Sequence, residues 1–303
     1  MRTVALLGTT ASGKSEVATA VARRRGDTEL VCVDSMTVYR GMDLATAKPD
    51  PAARAAVPHH LLDLVDPSEE FTVSQFQAAA RAAIDDVACR GRQPLLVGGT
   101  GLYLRAVVDD LSLPGRWPEV AAVLDREAEG PGGVPALHDR LARLDPAAAG
   151  RTMPTNRRRV VRALEVTIGS GRPFSSYGPG LTAYPPTRFE LIGIPFDPGA
   201  VDRRIEERFR RWLDAGLVTE VRVLAGRGLA RTARQALGYR ELLAHVEEGV
   251  ALAACVEAAL RRTRAFARRQ WSWFRRDPRI RWVGEGEEAA AVVEAALTRV
   301  HRP

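Results

Sequence analysis

The segment Gly8-Thr-Thr-Ala-Ser-Gly13-Lys14-Ser15 constrains the fold of this chain more than any other feature. It satisfies G-x-x-x-x-G-K-[ST] at every fixed position, between an apolar run, Thr3–Leu7, and a helical period. In that context the glycines let backbone N–H groups close around phosphate oxygens, and the helix N-terminus adds positive potential. Lys14 adds a full charge, and the Ser15 hydroxyl is placed to ligate Mg2+. Gly8, Thr9, Thr10, Ala11, Ser12, Gly13, Lys14 and Ser15 therefore read as a binding loop for a di- or triphosphate.

Short β-rich apolar runs recur at residues 30–34, 94–97 and 189–196, with helical periods between the earlier ones. This pattern predicts an α/β fold: a P-loop NTPase-like, largely parallel sheet flanked by helices. The helix over Val73–Cys89 is well signalled, because Thr72 and Gln75 have capping-box spacing and Phe76, Ala80, Ile84 and Val87 share one face. After Leu111 the texture changes to Pro/Gly punctuation ("LSLPGRWPEV", "EGPGGVP") and helical periods without a clear strand. Residues 114–186 are read as a helical insertion, with 1–113 and 187–303 forming the catalytic core and its C-terminal helices. In "VDRRIEERFRRWLDAG", Ile205, Phe209, Trp212 and Leu213 share a face, and Gly216 follows the end.

Composition excludes several classes. With 303 residues and 46% apolar content, the chain can bury a sizeable core. Cys32, Cys89 and Cys255 lie far apart without a CxxC pair, so neither a disulfide framework nor a thiolate metal site is expected. His59 and His60 lack a carboxylate or cysteine at metal spacing and read as structural loop residues. No apolar stretch reaches the length of a membrane span and no leader cleavage signal follows the first apolar run, so a cytoplasmic protein with no membrane partner is expected. The net charge of +7, carried almost entirely by Arg, suits a polyanionic partner, although a G·C-rich genome also favours Arg.

An NTPase of this class should carry an apolar strand ending in an acidic pair that holds Mg2+ and orients water. The best candidate strand, "QPLLVGGTGLY", ends in Gly98-Gly99-Thr100 instead. The acidic strand end is Asp34-Ser35, directly after the second strand, where small-substrate kinases place substrate-binding groups. Transfer chemistry is favoured over a motor or switch ATPase.

At this point "GTTASGKS", "VDSMTVYRGMDLATAKP", "VPHHLLDL", "LLVGGTGLYLRAV", "NRRRVVRALEV" and "QALGYREL" resemble, in order, the signatures of the tRNA dimethylallyltransferase (tRNA isopentenyltransferase) family. The resemblance covers roughly residues 4–275, with one departure: the family usually has Pro where this chain has Thr9. It implies transfer of a dimethylallyl group from dimethylallyl diphosphate to N6 of the adenosine immediately 3′ of the anticodon, position 37. Diphosphate is then the leaving group, held by the loop amides, Lys14 and Ser15–Mg2+.

An exocyclic amine is a weak nucleophile, because its lone pair is delocalised into the ring. Asp34 fits the general base by strand-end position and family match; the alternative is a metal-shell or cap residue. Thr100 matches a residue of the channel that meets the target base, and otherwise reads as a loop-capping hydroxyl. Arg208 matches a diphosphate contact; sequence alone would make it one of many arginines on a helix face.

The resemblance assigns tRNA contacts to Asp34, Ser35, Met36, Thr37 and Thr100, to Asn156, Arg157, Arg158, Arg159 and Val160, and to Gln235, Gly238, Tyr239 and Arg240. Independently, Asn156 is placed to cap a helix whose first turn holds three arginines. Cations there oppose the helix dipole unless an anion arrives, and an RNA backbone is such an anion. The run "LRRTRAFARRQWSWFRRD" mixes arginines with aromatics, which suits either RNA binding or core anchoring. A stacked anticodon-loop base must leave its stack to reach Asp34. The expected partners are the tRNA anticodon stem-loop and dimethylallyl diphosphate, with the protein a monomer. Rival readings are a mononucleotide isopentenyltransferase, an ATP-dependent small-molecule kinase, and an RNA-binding module with a vestigial loop.

Overall fold

The computed structural model describes residues 3–300. The chain divides into two compact units, residues 1–109 with 186–303, and residues 110–185. The insertion expected at 114–186 from the Pro/Gly punctuation thus begins four residues earlier and ends one residue earlier.

In the larger unit the first half runs β1 (Thr3–Leu7), α1 (Lys14–Arg25), β2 (Thr28–Val33), α2 (Pro51–Ala56), β3 (His59–His60), α3 (Val73–Cys89), β4 (Gln93–Gly98) and α4 (Gly101–Val108). In the smaller unit lie α5 (Pro118–Glu127), α6 (Gly133–Leu144), α7 (Pro146–Gly150), α8 (Arg157–Ser170) and a 3-10 turn at Phe174–Tyr177. The larger unit then resumes with β5 (Phe189–Gly193), α9 (Pro198–Asp214), α10 (Leu217–Arg227), α11 (Arg231–Arg234), α12 (Tyr239–Glu248), α13 (Leu252–Phe274), β6 (Arg281–Trp282) and α14 (Gly286–Val300).

The strands form one sheet in the order β3-β2-β4-β1-β5-β6, all neighbours parallel. Parallel strands are linked by helical crossovers, so both faces are covered and the strands read as continuous apolar runs. The side-chain alternation of the pleat sorts them: Ala5, Leu7, Val31, Val33 and Leu96 enter one core, Val4, Leu6, Leu30, Leu95 and Val97 the other. The first core packs under Phe76, Ala80 and Ile84 of α3, and the second under Val17 and Val21 of α1 with Val293 and Leu297 of α14.

Helix α3 begins as expected: the Thr72 hydroxyl accepts from the Gln75 N–H and the Gln75 side chain returns to the Thr72 backbone. Three strand expectations shift. The second strand ends at Val33, leaving Asp34 just past it. The fifth ends at Gly193 rather than at 196, because Pro195 has no N–H to give a ladder. His59 and His60 are not loop residues; they form β3 beside Leu30 and Val31, a strand too short to show alternation. The equally short β6 had no sequence signal either.

The smaller unit has its own core, in which Leu124 of α5, Leu137 and Leu141 of α6, and Val160, Val161 and Leu164 of α8 meet. The Trp117 N–H donates to the Glu165 carboxylate at 2.8 Å.

Candidate active site

Three strand ends build the site. In the parallel register Leu7 and Val33 both pair with Gly98, so Gly8, Asp34 and Gly99 leave the sheet from neighbouring strands at its C-terminal edge. That edge is where open α/β sheets bind ligands. With β4 between them, the phosphate loop and Asp34 stand two strand spacings apart, about 10 Å. A Cβ on Gly98 would run into the Val33 carbonyl oxygen. This strand end has no room for the carboxylate that an NTPase would carry there.

The loop turns through left-handed backbone at Ala11 (φ 59°) and Gly13 (φ 86°), the latter capping α1. Lys14 Nζ donates to the Thr9 carbonyl at 3.0 Å. Thr9 is buried with no partner for its hydroxyl, as is Ser12; Ser15 is exposed. Burial pulls the Lys14 ammonium down to about 8, with Asp34 opposing and Arg208 adding to the shift.

Arg208 of α9 reaches the same loop. Its Nη2 donates to the Thr10 hydroxyl at 2.7 Å, its Nε has no partner, and its guanidinium stacks over Trp212 at 4.7 Å. Burial lowers its pKa to about 10, against the pull of Glu16 and with help from Arg211. Neither Lys14 nor Arg208 has an ion pair among the described residues. Lys14 of α1 and Arg208 of α9 thus bring two partly desolvated cations to one loop, the chemistry that recognises an anion.

Asp34 faces the other side of β4. Its Oδ1 accepts from the Met36 N–H at 2.8 Å, which fixes the turn into residues 35–37. Its Oδ2 accepts from the Thr100 hydroxyl at 3.5 Å, a loose contact that leaves the oxygen available. Thr37 is buried and holds the Asp63 N–H through its backbone carbonyl; Ser35 and Met36 are half-buried.

A residue without a motif signal joins the two sides. Gln270 of α13 accepts from the Thr10 N–H and donates to the Gly99 carbonyl, each at 2.8 Å. The signal that could have found it is a polar residue on the buried stripe Ala259, Thr263, Ala267, Gln270, Phe274. Trp212, four residues after Arg208, was likewise findable as a helical neighbour.

The positions assigned to RNA separate by burial. In the smaller unit Asn156 caps α8 by accepting from the Arg159 N–H at 3.2 Å. Arg157 is held by Asp125 and Glu129, at 3.1 and 3.0 Å. Arg158 and Arg159 are exposed, while Val160 lies wholly in the core. In the larger unit Gln235 and Arg240 are exposed and bonded to each other at 3.0 Å. Tyr239 is buried, donates to Glu220 at 2.5 Å, and follows Gly238 at φ 86°. Val160 and Tyr239 therefore offer no exposed side chain.

Most arginines of the arginine-aromatic run along α13 are exposed, and three of them pair with carboxylates. Arg261 pairs with Glu257, Arg262 with Glu241, Arg264 with Glu206, and Phe274 is core.

Among the described residues no group of three or more His, Cys, Asp or Glu converges on a metal position. The donors present suit a divalent ion that brings phosphate ligands with it: Mg2+ commonly keeps its waters and takes only one or two protein oxygens. The exposed Ser15 hydroxyl, in the first turn of α1, is such an oxygen.

A parallel sheet with a Gly-rich loop between β1 and α1 defines the class, an α/β protein with a P-loop-like fold. The particular family follows from comparison with known proteins. The family model for IPP transferase matches residues 37–277. The tRNA dimethylallyltransferase of Kineococcus radiotolerans is 50% identical over 289 residues, 92% of this chain and 90% of that protein. That of Streptomyces coelicolor is 45% identical over 307 residues, 100% of this chain and 96% of that one. The crystal structure of the full-length tRNA isopentenylpyrophosphate transferase from Bacillus halodurans superimposes with a TM-score of 0.71 at 34% identity, covering 98% of this chain and 96% of that one. The chain belongs to the IPP transferase family.

Proposed function

We propose that this chain transfers the dimethylallyl group of dimethylallyl diphosphate to N6 of the adenosine immediately 3′ of the anticodon, position 37 of a tRNA. The observation that carries the reading is the pairing of an anion site at Lys14 and Arg208 with the available carboxylate oxygen of Asp34 on the other side of β4.

In the reaction the bond between the allylic carbon and the diphosphate oxygen breaks, and diphosphate leaves with the electron pair. A C–N bond forms at N6, which gives up one proton. The loop amides, Lys14 and Arg208 stabilise the charge developing on the departing oxygens, the transition-state role that preorganised donors fill best. Asp34 accepts the N6 proton, and the Thr100 hydroxyl orients the carboxylate and lines the approach of the base. Mg2+, when bound, would be held at Ser15 and would neutralise phosphate charge.

The target adenine leaves its stack to reach Asp34. Arg158 and Arg159 in the smaller unit, and Gln235 and Arg240 in the larger, supply exposed groups for the anticodon stem-loop. Among the described residues no helix is long and apolar enough to cross a membrane. We place the protein in the cytoplasm, acting as a monomer.

The test incubates the protein with Mg2+, labelled dimethylallyl diphosphate and unmodified tRNA carrying adenosine at position 37, with AMP as parallel acceptor and γ-labelled ATP as parallel donor. Label on tRNA adenosine, lost in Asp34→Ala, supports the proposal. Label on AMP alone makes the protein a mononucleotide prenyltransferase. Transfer of γ-phosphate makes it a kinase.

A further inference from the structure

Gln270 spans the two halves of the reaction. Its side chain is buried, and its amide is used at both ends: Oε1 takes the Thr10 N–H on the donor side, and Nε2 gives to the Gly99 carbonyl on the acceptor side. Only one orientation of the amide satisfies an N–H and a C=O together, so the contact is directional. The two residues it holds are immediate neighbours of reacting machinery. Thr10 carries the hydroxyl that Arg208 grips, and Gly99 precedes Thr100, whose hydroxyl meets Asp34.

The packing around this contact leaves little slack. A Cβ on Gly99 would lie 2.6 Å from Gln270 Nε2 and 3.0 Å from the Gly8 carbonyl oxygen. Two residues on, a Cβ on Gly101 would collide with the indole of Trp273, one turn along α13 from Gln270. The turn Gly99-Thr100-Gly101 is therefore pressed against one face of α13, with Gln270 at its start and Trp273 at its end. An N–H and a C=O in buried loops must find partners, and no strand ladder supplies them here.

We propose that Gln270 is a positioning residue that sets the separation of the diphosphate loop from Thr100, and hence of the departing carbon from the base that Asp34 deprotonates. The inference rests on the prenyl-transfer reading of the site. Misplacement of a reacting group by about 1 Å can cost roughly 10²-fold in rate, and Gln270 touches both loops whose spacing matters.

The test is a double-mutant cycle on the full chain, read as the single-turnover rate of prenyl transfer, whose amplitude counts only folded enzyme. Gln270→Met keeps the volume and removes both hydrogen bonds; Gln270→Leu is the second variant if the first folds poorly. With Thr100 present, either change should lower the rate by roughly 10²-fold, with full amplitude at saturating substrates. In a Thr100→Ala background the same change should cost less, because one of the groups whose spacing it sets, the Thr100 hydroxyl, is gone. A purely structural glutamine would instead lower amplitude and melting temperature with the rate per active site unchanged. That result, or a rate loss equal in both backgrounds, overturns the proposal. Absence of prenyl transfer by the unmodified protein would instead overturn the functional reading beneath it.

Discussion

Arg208 donates to the Thr10 hydroxyl at 2.7 Å across 198 positions of sequence, and this bond ties helix α9 to the phosphate loop. The guanidinium is also stacked on Trp212, so its plane is set before any ligand arrives. A planar fork held in one orientation can meet two phosphate oxygens, which a Lys ammonium on a flexible stem cannot. Arg208→Lys should therefore lower kcat/KM for the prenyl diphosphate by about 10²-fold, in line with losing one preorganised transition-state donor. The melting temperature should stay close to that of the parent, which steady-state kinetics beside a thermal melt would check.

Asp34→Asn separates the base from the turn. The amide oxygen can still accept from the Met36 N–H, so the turn into residues 35–37 keeps its hydrogen bond, but the side chain no longer takes a proton. The transfer rate should fall by about 10²–10⁴-fold, the usual range for a positioned base. Dissociation constants for dimethylallyl diphosphate and tRNA should change little. If Asp34 only shaped the turn, the Asn variant would retain most of its rate.

Lys14 links diphosphate binding to pH. Burial lowers its pKa from 10.5 to about 8, so above pH 8 the free protein has largely lost this proton while the unfolded chain still holds it. The unfolded state binds more protons between about pH 8 and 10.5, and the stability of the free protein should rise with pH across that window. A bound diphosphate favours the ammonium and draws the proton back. Its affinity should weaken as pH rises through 8, with net proton uptake on binding. Calorimetry in buffers of different ionisation enthalpy measures that uptake, and Lys14→Met should abolish it.

The phosphate loop, the three long strands around it and Asp34 were legible in the sequence, because a loop motif, apolar runs and a lone acidic strand end are local signals. The absence of a carboxylate at the last residue of β4 was visible too, but the lack of room for one was not. Only the register shows that the Val33 carbonyl occupies the space a Cβ at Gly98 would need. Gln270 escaped because its partners lie 260 and 171 residues away. The grouping of three arginines at α8 was correct as a pattern and incomplete as physics, since Arg157 already has two carboxylates from α5 and the residues after it.

Glu29, the second residue of β2, is an acid-sensitive anchor of that strand. Its carboxylate is buried and receives Arg90 at 2.6 Å, Arg92 at 2.5 Å and His60 at 2.6 Å. The Arg90 hydrogen bonds, with help from His60, push its pKa down to about 2 against the cost of burial. A depressed carboxylate contributes stability above its ordinary value of 4.5 and loses it as pH falls toward 2. Glu29→Gln should destabilise the protein by about 1–3 kcal/mol at neutral pH, because the cations around it lose a charged acceptor. Urea titrations of the two proteins should converge as pH is lowered below 4, an outcome that a purely steric effect of the substitution would not produce.

The three arginines of α8 should separate in a salt titration. Arg158 and Arg159 stand exposed beside the positive end of the helix dipole, with no carboxylate partner among the described residues. Arg157 is committed to Asp125 and Glu129. Each phosphate contact contributes a slope of about −0.9 in log K against log salt on duplex nucleic acid and about −0.7 on single strands. Replacing Arg158 and Arg159 together with Gln should therefore weaken tRNA binding and flatten that slope by roughly 1.5, while leaving KM for the prenyl diphosphate unchanged. Arg157→Gln should leave the slope close to its parent value, because that guanidinium already faces Asp125 and Glu129, and should change the melting temperature little, since these ion pairs are solvent-exposed. Equal slopes for the parent and the double variant would show that α8 does not meet the RNA backbone, and would leave Gln235 and Arg240 as the exposed groups to test next.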